Sequence, residues 1–202
     1  MEAIENNPMM FELLFELPWY KERFSAEDWL SGYVKARYGS EDENLIKAWQ
    51  ILAKTVYNCP PTSTQEGTTE TVFAAIPQLD VRNVSCCSRT APFYNTDSVR
   101  LAAEYMLSVA DRYRGNNNFE YDLVDVVRQT VANKGYYLQR DVASAFQGKK
   151  VDEFKVLNQQ FLDLILAQDK LLQTRTEFML GTWTNKARSL GNNDSEKNLY
   201  EW

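Results

Sequence analysis

The chain has 202 residues and a formal net charge of −6, and its 22 basic residues are dispersed among 28 acidic ones. No basic stripe is left that could follow a phosphate backbone, which excludes nucleic acid as an expected partner. Histidine is absent from the sequence and no apolar run approaches the roughly 18 residues of a membrane span, so neither a histidine-based site nor a membrane segment is predicted.

Helical spacing of apolar residues dominates the chain. Asn7 followed by Pro8 predicts a helix start, with Asn7 as the N-cap. Proline is tolerated in the first turn because the N–H that it lacks would have no hydrogen-bond partner within the helix there. Ser25 with Asp28 resembles a capping box, and Gly39 is typical of a helix end. In chain order, the predicted helices run from Pro8 to about Leu17, Ser25 to Gly39, Glu41 to about Tyr57, Asp97 to about Arg114, Phe119 to Gln147, Asp152 to Thr174, Thr174 to Leu190, and from Ser195 onward.

The second half of the chain carries the longest predicted helix. Apolar residues from 119 to 147 stay on one stripe, which indicates a single helix that Gly135 could weaken and that Gly148 ends. Thr174 with Glu177 resembles a second capping box and predicts the start of a further helix.

Residues 58–96 interrupt the helical pattern with several prolines and a threonine-rich stretch. A connection of this length in a compact domain is usually functional or packed on a neighbour, and a surface loop is the alternative. Apolar and polar residues do not alternate over the length of a strand in any part of the sequence. The predicted fold class is therefore all-α, a multi-helix bundle-like domain with one long irregular loop.

Three cysteines are too few and too unevenly spaced to predict a disulfide framework or a zinc site. The favoured interpretation is that each is structural. In an oxidising compartment, a bridge from Cys59 to Cys86 or to Cys87 would close the long loop.

Without histidine, any chemistry on this chain must use carboxylates. Asp122, Asp125 and Arg128 are spaced by three residues on the longest predicted helix, so they lie on adjacent turns and can form an ion pair. A pair of catalytic carboxylates is conceivable there. A salt bridge on the helix surface or between helices is the favoured interpretation.

Aromatic residues make up 13% of the chain, and rings of this kind can cover the apolar face of a sugar. Trp29, Trp49 and Trp183 fall on predicted core faces, which favours packing over sugar binding. Candidates for contacts with a neighbouring domain lie near helix breaks or at the chain end: Trp19, Tyr20 and Trp202.

Seven segments, in order along the chain, resemble the α-N-acetylglucosaminidases of glycoside hydrolase family 89. The first, EAIENNPMMFELLFELPW at positions 2–19, resembles the stretch that follows the catalytic barrel in that family. The others resemble the C-terminal helical region of the family: KARYG (35–39), TVYNC (55–59), FYNTD (93–97), YDLVDVVRQ (121–129), FMLGTW (178–183) and KAR (186–188). Together they extend over nearly the whole chain.

The resemblance implies a retaining hydrolase that removes terminal α-linked N-acetylglucosamine from glycans without a metal or an organic cofactor. It places the catalytic nucleophile at Glu2, with the acid/base glutamate in the barrel outside this chain. Ala3 departs from the family pattern, in which glycine is usual. Residues 1–7 would be the nucleophile loop, a remnant of the barrel, and residues 8–202 a C-terminal helical domain that is incomplete at its C-terminus.

The partners implied by the resemblance are a glycan substrate and the catalytic barrel of the same protein, with self-association through the uncovered face left open. The implied location is extracytoplasmic: periplasmic or secreted in a bacterium, lysosomal in an animal. The chain alone is expected to fold without hydrolysing sugar. The alternative is a non-enzymatic all-α protein-interaction domain. The enzyme hypothesis predicts an exposed apolar surface around Pro8 to Tyr20 and the long loop, whereas the alternative allows a groove between later helices.

Overall fold

The computed structural model describes residues 8–21, 24–60, 69–85 and 89–201. Over these residues the only strand-like pairing is an isolated bridge between Asn83 and Arg89, which confirms the predicted all-α class. None of the helices in these ranges is long and apolar enough to cross a membrane. The helices are α1 Pro8–Glu16, α2 Ala26–Tyr38, α3 Glu43–Lys54, α4 Thr96–Ser108, α5 Asn117–Gln147, α6 Val151–Leu172, α7 Leu180–Ser189 and α8 Asp194–Glu201, and 3-10 turns occupy Leu17–Trp19, Val72–Ala74 and Thr176–Phe178.

Side-chain caps set the starts of the central helices. Ser25 Oγ accepts a hydrogen bond from the N–H of Asp28 at 3.3 Å, as the capping-box pattern predicts. Asp42 caps α3 and Asn95 caps α4, each by accepting from two backbone N–H groups of the first turn. Gly39 ends α2 in the left-handed conformation at φ 86°, where a side chain would be strained.

The chain divides into two compact units, Met1–Glu70 with Arg82–Thr130 and Thr71–Val81 with Val131–Trp202. The first unit contains a hydrophobic core to which α1, α2, α3, α4 and the first part of α5 contribute. Its fully buried side chains have 0% exposure and include Val34, Leu45, Ala48, Val99, Ala102 and Met106.

Within the second unit, part of the long irregular segment packs on the helices. The Phe73 ring lies 5.7 Å from the Phe161 ring of α6, and its tip covers Gly135 of α5. Gln139 donates to the carbonyl of Leu79 at 2.7 Å. The segment Thr71–Val81 therefore contributes packing residues to the second unit, and α5 continues through Gly135 without interruption.

Three predicted helix boundaries differ from the structure. α4 ends at Ser108 and not near Arg114, and a series of turns follows it. The residues of these turns have tertiary partners: Val109 and Tyr113 are buried in the core, and the Tyr113 ring stacks on Phe119 at 5.1 Å. Core contacts at these positions replace the last helical turns.

The other two differences follow from threonine side chains that bond to the preceding turn. Thr55 ends α3 at Lys54, with its hydroxyl donating to the carbonyl of Ile51 at 2.7 Å. The predicted capping box of Thr174 with Glu177 is wrong, because the Thr174 hydroxyl donates backward to Leu171 at 2.6 Å. α7 instead begins after Met179, which makes no side-chain cap.

Candidate functional site

The predicted nucleophile, Glu2, lies outside the described residues, and so does Ala3. The first described element after it is α1, which begins at Pro8. The residues around α1 are therefore the described part of the chain that is nearest to Glu2 in the sequence.

α1 and α2 border a cleft of about 360 Å³ in the first unit. Carboxylates from both helices and aromatic rings line it, and Gly32 and Ala36 contribute little or no side chain on the α2 side. An added Cβ at Gly32 would meet no heavy atom within 4 Å, so this part of α2 faces open space. The other lining residues are Glu12, Glu16, Tyr20, Ser25, Asp28, Trp29 and Tyr33.

A hydrogen bond joins the C-terminal end of α1 to α2. The indole N–H of Trp29 donates to Glu16 Oε2 at 2.6 Å. Trp29 is itself buried, and its ring stacks on Tyr33 with a centroid distance of 5.3 Å. At the other end of α1, Met9 is 2% exposed and belongs to the core. These two contacts hold α1 at both ends.

The carboxyl of Glu12 lies half-buried on the same helix. Burial raises the pKa of Glu12, and the negative charge of Glu16, four residues later, raises it further, while Arg37 acts in the opposite direction. The like charges at this spacing repel each other. Glu12 therefore has a greater tendency to hold a proton than an exposed glutamate.

A buried polar network lies next to the cleft. Asp122 of α5 accepts two hydrogen bonds from Arg37, at 2.5 and 2.8 Å, and one from the Tyr38 hydroxyl at 2.7 Å. That hydroxyl accepts from the indole N–H of Trp49 at 2.8 Å. Burial raises the pKa of Asp122, and the bonds from Arg37 and Tyr38 offset part of this effect. The network links α2, α3 and α5.

The Tyr33 phenol lies beside this network. Among the residues that the structure describes, its hydroxyl finds no hydrogen-bond partner. Burial raises the pKa of Tyr33 well above its ordinary value, and the charge of Asp122 adds to the effect. Tyr33 is thus a neutral packing residue whose ring supports Trp29.

The three charged residues that the sequence places on adjacent turns of α5 take part in two separate ion pairs. Asp125 pairs with Arg128 along the helix, whereas Asp122 pairs with Arg37 across the unit. These contacts agree with the favoured interpretation of salt bridges. Arg37 was not selected from the sequence, since nothing in its local pattern points to a partner 85 positions away.

Tryptophan placement was predicted correctly in the first unit. Trp29 and Trp49 are buried, at 6% and 2% exposure. Trp183 was predicted wrongly, because it is 51% exposed in the second unit. Its indole N–H donates to the carbonyl of Glu177 at 3.0 Å, and the Lys186 ammonium lies 5.4 Å from its ring. Trp202 lies outside the described residues.

An exposed apolar surface, here called the α1 surface, covers the end of α1 and the turn after it. Its members are Leu14, Phe15, Leu17, Trp19 and Tyr20, of which Trp19 is 82% exposed. This is one of the two positions that the enzyme hypothesis predicts, and the long loop is the other. Exposed apolar side chains also occur in the second unit, among them Val156, Leu166, Leu180 and Leu199.

Glu12 and Glu16 were not selected from the sequence. The sequence does carry a signal for them: two acids four residues apart lie on the same face of an otherwise apolar helix, and charged side chains on such a face indicate contact with solvent or a cleft. In the described ranges, no group of three or more acidic, cysteine or histidine side chains could hold a metal ion. The bridge predicted from Cys59 to Cys86 or to Cys87 stays a prediction, because Cys86 and Cys87 lie outside those ranges.

Comparison with known proteins identifies relatives over nearly the whole chain. Residues 29–202 match the family described as the α-N-acetylglucosaminidase (NAGLU) C-terminal domain. The α-N-acetylglucosaminidase of Homo sapiens is 26% identical over 210 residues, which cover 99% of this chain and 26% of that protein.

Solved structures show the same similarity. CpGH89 from Clostridium perfringens, in complex with its substrate GlcNAc-alpha-1,4-galactose, matches with a TM-score of 0.89 and 28% identity over 96% of this chain and 22% of that one. A family 89 glycoside hydrolase from the same organism, in complex with 2-acetamido-1,2-dideoxynojirmycin, matches with the same values. The chain thus spans about a quarter of the length of these relatives.

Proposed function

The chain belongs to the family of α-N-acetylglucosaminidase C-terminal domains, and from this we propose that it is the helical part of a retaining glycoside hydrolase. The parent enzyme would remove terminal α-linked N-acetylglucosamine from glycans. The observation that carries the proposal is the TM-score of 0.89 over 96% of the chain to a family 89 enzyme whose complex contains its α-linked GlcNAc substrate. The named relatives are glycosidases, which favours this function over a non-enzymatic interaction domain.

In this proposal, Glu2 is the nucleophile and residues 1–7 form the loop that carries it. Its carboxylate attacks the anomeric carbon, and the C–O bond to the leaving group breaks as the acid/base glutamate of the barrel protonates that oxygen. Water then releases the sugar from the glycosyl-enzyme intermediate. The two carboxyl groups of a retaining enzyme lie about 5–5.5 Å apart, so Glu2 would lie close to the acid/base glutamate of the barrel.

We assign the α1 surface as the face that packs on the barrel. It is close in sequence to the nucleophile loop, and about three quarters of each relative lies outside the matched segment. Large exposed apolar patches mark interaction sites. The isolated chain is expected to self-associate through this surface, a prediction that concentration-dependent light scattering checks. Action on glycans supports an extracytoplasmic location for the parent enzyme.

The test uses the parent protein with Glu2 intact and as Glu2→Ala, on an aryl α-N-acetylglucosaminide. The intact protein should turn the substrate over, and the isolated chain of 202 residues should not. Glu2→Ala should be inactive, and added azide should restore turnover by attacking from the vacated side to give the β-glycosyl azide. An active Glu2→Ala without azide would contradict the role of Glu2, and an inactive intact parent would contradict the proposed function.

A further inference from the structure

We propose that the cleft between α1 and α2 is a binding site for an arginine side chain of the catalytic barrel in the parent protein. The proposal rests on the proposed function, which places a barrel against the α1 surface. It adds a specific contact beside that surface and names the chemistry of the partner.

The first observation is the charge of the cleft. Glu12 and Glu16 line it from α1 and Asp28 lines it from α2, and none of the described residues that line it is basic. In the part of the chain that the structure describes, none of these three carboxylates belongs to an ion pair. Lys21 lines an adjoining hollow together with Glu16, yet it does not pair with that carboxylate. The cleft therefore holds negative charge without a bound cation.

The second observation is that this charge is unfavourable when the cleft is empty. Burial and the charge of Glu16 both raise the pKa of Glu12, because the two carboxylates repel each other where water solvates them incompletely. Arg37 attracts Glu12, but its guanidinium is bound by both oxygens of Asp122. A second guanidinium in the cleft would offset the repulsion.

The third observation is independent of the acids. Tyr33 lines the cleft and is 2% exposed, and its hydroxyl finds no hydrogen-bond partner among the described residues. The charge of Glu12 contributes to the raised pKa of Tyr33, so this hydroxyl lies within electrostatic range of the Glu12 carboxylate. A buried polar group without a partner is costly. The neutral phenol oxygen can accept from an N–H donor that enters the cleft.

The arrangement of the acceptors favours arginine over a metal ion or a lysine. Within the described ranges, no group of three acidic side chains could hold a metal ion. An ammonium group concentrates its three donors at one point, whereas a guanidinium carries five N–H donors in a planar fork and pairs with carboxylates through two parallel bonds. Guanidinium groups also stack on aromatic rings, and Tyr20 at the cleft is 47% exposed.

The position of the cleft points to the barrel as the source of the arginine. Tyr20 belongs both to the cleft and to the α1 surface, and Glu16 and Tyr20 also line a hollow of about 530 Å³ with Trp19, the most exposed member of that surface. The cleft is therefore continuous with the face assigned to the barrel. About three quarters of each relative lies outside the matched segment. Opposite charges at such an interface fix its register.

The experiment measures the reactivity of arginines in the parent protein with phenylglyoxal, which modifies accessible guanidinium groups. Peptide mass spectrometry locates and quantifies the modified sites. Glu12→Gln and Asp28→Asn each remove one negative charge from the cleft and keep the shape of the side chain. Glu27→Gln is the matched control, because it neutralises an exposed acid of α2 that does not line the cleft. Circular dichroism checks that every variant is folded.

We expect one arginine outside these 202 residues to be protected in the native parent. Its modification should be about tenfold faster in each cleft variant, since a hydrogen bond to a charged group contributes about that factor. The rate should stay native in Glu27→Gln. Replacing this arginine by glutamine should lower the unfolding temperature of the parent, and adding Glu12→Gln should not lower it further, because both changes remove one contact.

Three results would overturn the proposal. In the first, no arginine outside these 202 residues gains reactivity in the cleft variants. In the second, the arginine that gains reactivity belongs to this chain. In the third, parallel labelling of amines shows that a lysine of the barrel gains reactivity and no arginine does. An inactive native parent would instead contradict the proposed function, and the labelling does not depend on activity, so the two failures are distinguishable.

Discussion

Asp122 and Arg37, 85 positions apart in the sequence, form a buried two-point ion pair with Arg37 Nε at 2.5 Å and Nη2 at 2.8 Å from the two carboxylate oxygens. The Asp122 side chain is 4% exposed and that of Arg37 is 14% exposed. Removing one member of such a pair leaves the other charge buried without its partner, which is far more costly than removing an exposed pair.

Asp122→Ala should therefore lower the free energy of unfolding of the chain by about 3–5 kcal/mol. Urea unfolding followed by circular dichroism measures the change. Asp125→Ala is the matched control, because the pair of Asp125 with Arg128 is more exposed and should contribute about 1 kcal/mol or less. Equal losses for the two variants would contradict the structural role assigned to Asp122.

Alanine substitution of two helical glycines should have opposite effects. Gly32→Ala places a methyl group where no heavy atom lies within 4 Å, so the higher helix propensity of alanine should stabilise the chain by up to about 1 kcal/mol. Gly135→Ala places a Cβ 2.5 Å from the tip of Phe73 and should be destabilising by about 1–3 kcal/mol. Thermal unfolding of both variants, and of Gly135→Ala combined with Phe73→Leu, checks this. The combined variant should recover stability relative to Gly135→Ala.

Glu12→Gln should stabilise the chain near neutral pH. Because burial and the charge of Glu16 raise the pKa of Glu12 above 4.5 in the folded state, folding favours the protonated form, and the stability from this group is lost as pH rises through the folded pKa. Removing the charge should restore about 0.2–0.5 kcal/mol near pH 7. The gain should shrink toward zero well below pH 4.5, the ordinary pKa of glutamate, where Glu12 is protonated in both the folded and the unfolded state. A gain independent of pH, or one equal to that of the exposed Glu27→Gln, would contradict this assignment.

Asp42 should contribute both as a helix cap and as an ion-pair partner. Its Oδ1 accepts from the N–H groups of Asn44 and Leu45 at 2.9 and 3.3 Å, and its Oδ2 pairs with Arg112. Asp42→Asn keeps the cap, so it should cost less than Asp42→Ala, which should lose about 2 kcal/mol. Equilibrium unfolding of the two variants separates the contributions. Equal losses would mean that the cap is not stabilising.

Some features of the first unit could be predicted because their causes are local. The cap at Ser25 and the stop at Gly39 are visible within a few residues, and both were correct. The stripe of apolar residues predicted α5 almost to the residue. The end of α4 could not be predicted in this way. Val109 and Tyr113 lie beyond the helix end and are buried in the core, and their contacts there are with residues distant in the sequence.

In the candidate site, too, some residues could be selected from the sequence and others depend on contacts between helices. The resemblance to family 89 selected Glu2 and the exposed surface after Pro8, and the structure places Trp19 and Tyr20 on that surface. Glu16 was not selected, since its importance depends on the position of Trp29 on another helix. Trp183 fits a core pattern in the sequence yet is exposed, because helical spacing indicates which residues share a face and does not indicate what covers that face.

The sequence by itself determined the helical class, the cap at Ser25, the stop at Gly39 and the family, because hydrogen bonding within a turn and the spacing of apolar residues are encoded by neighbouring positions. The tertiary structure alone decided that Arg37 meets Asp122 and that Trp29 meets Glu16. Such contacts depend on how helices pack, and the helix positions result from the burial of many side chains together. The local sequence around Arg37 or Glu16 therefore does not identify the residue that each contacts on another helix.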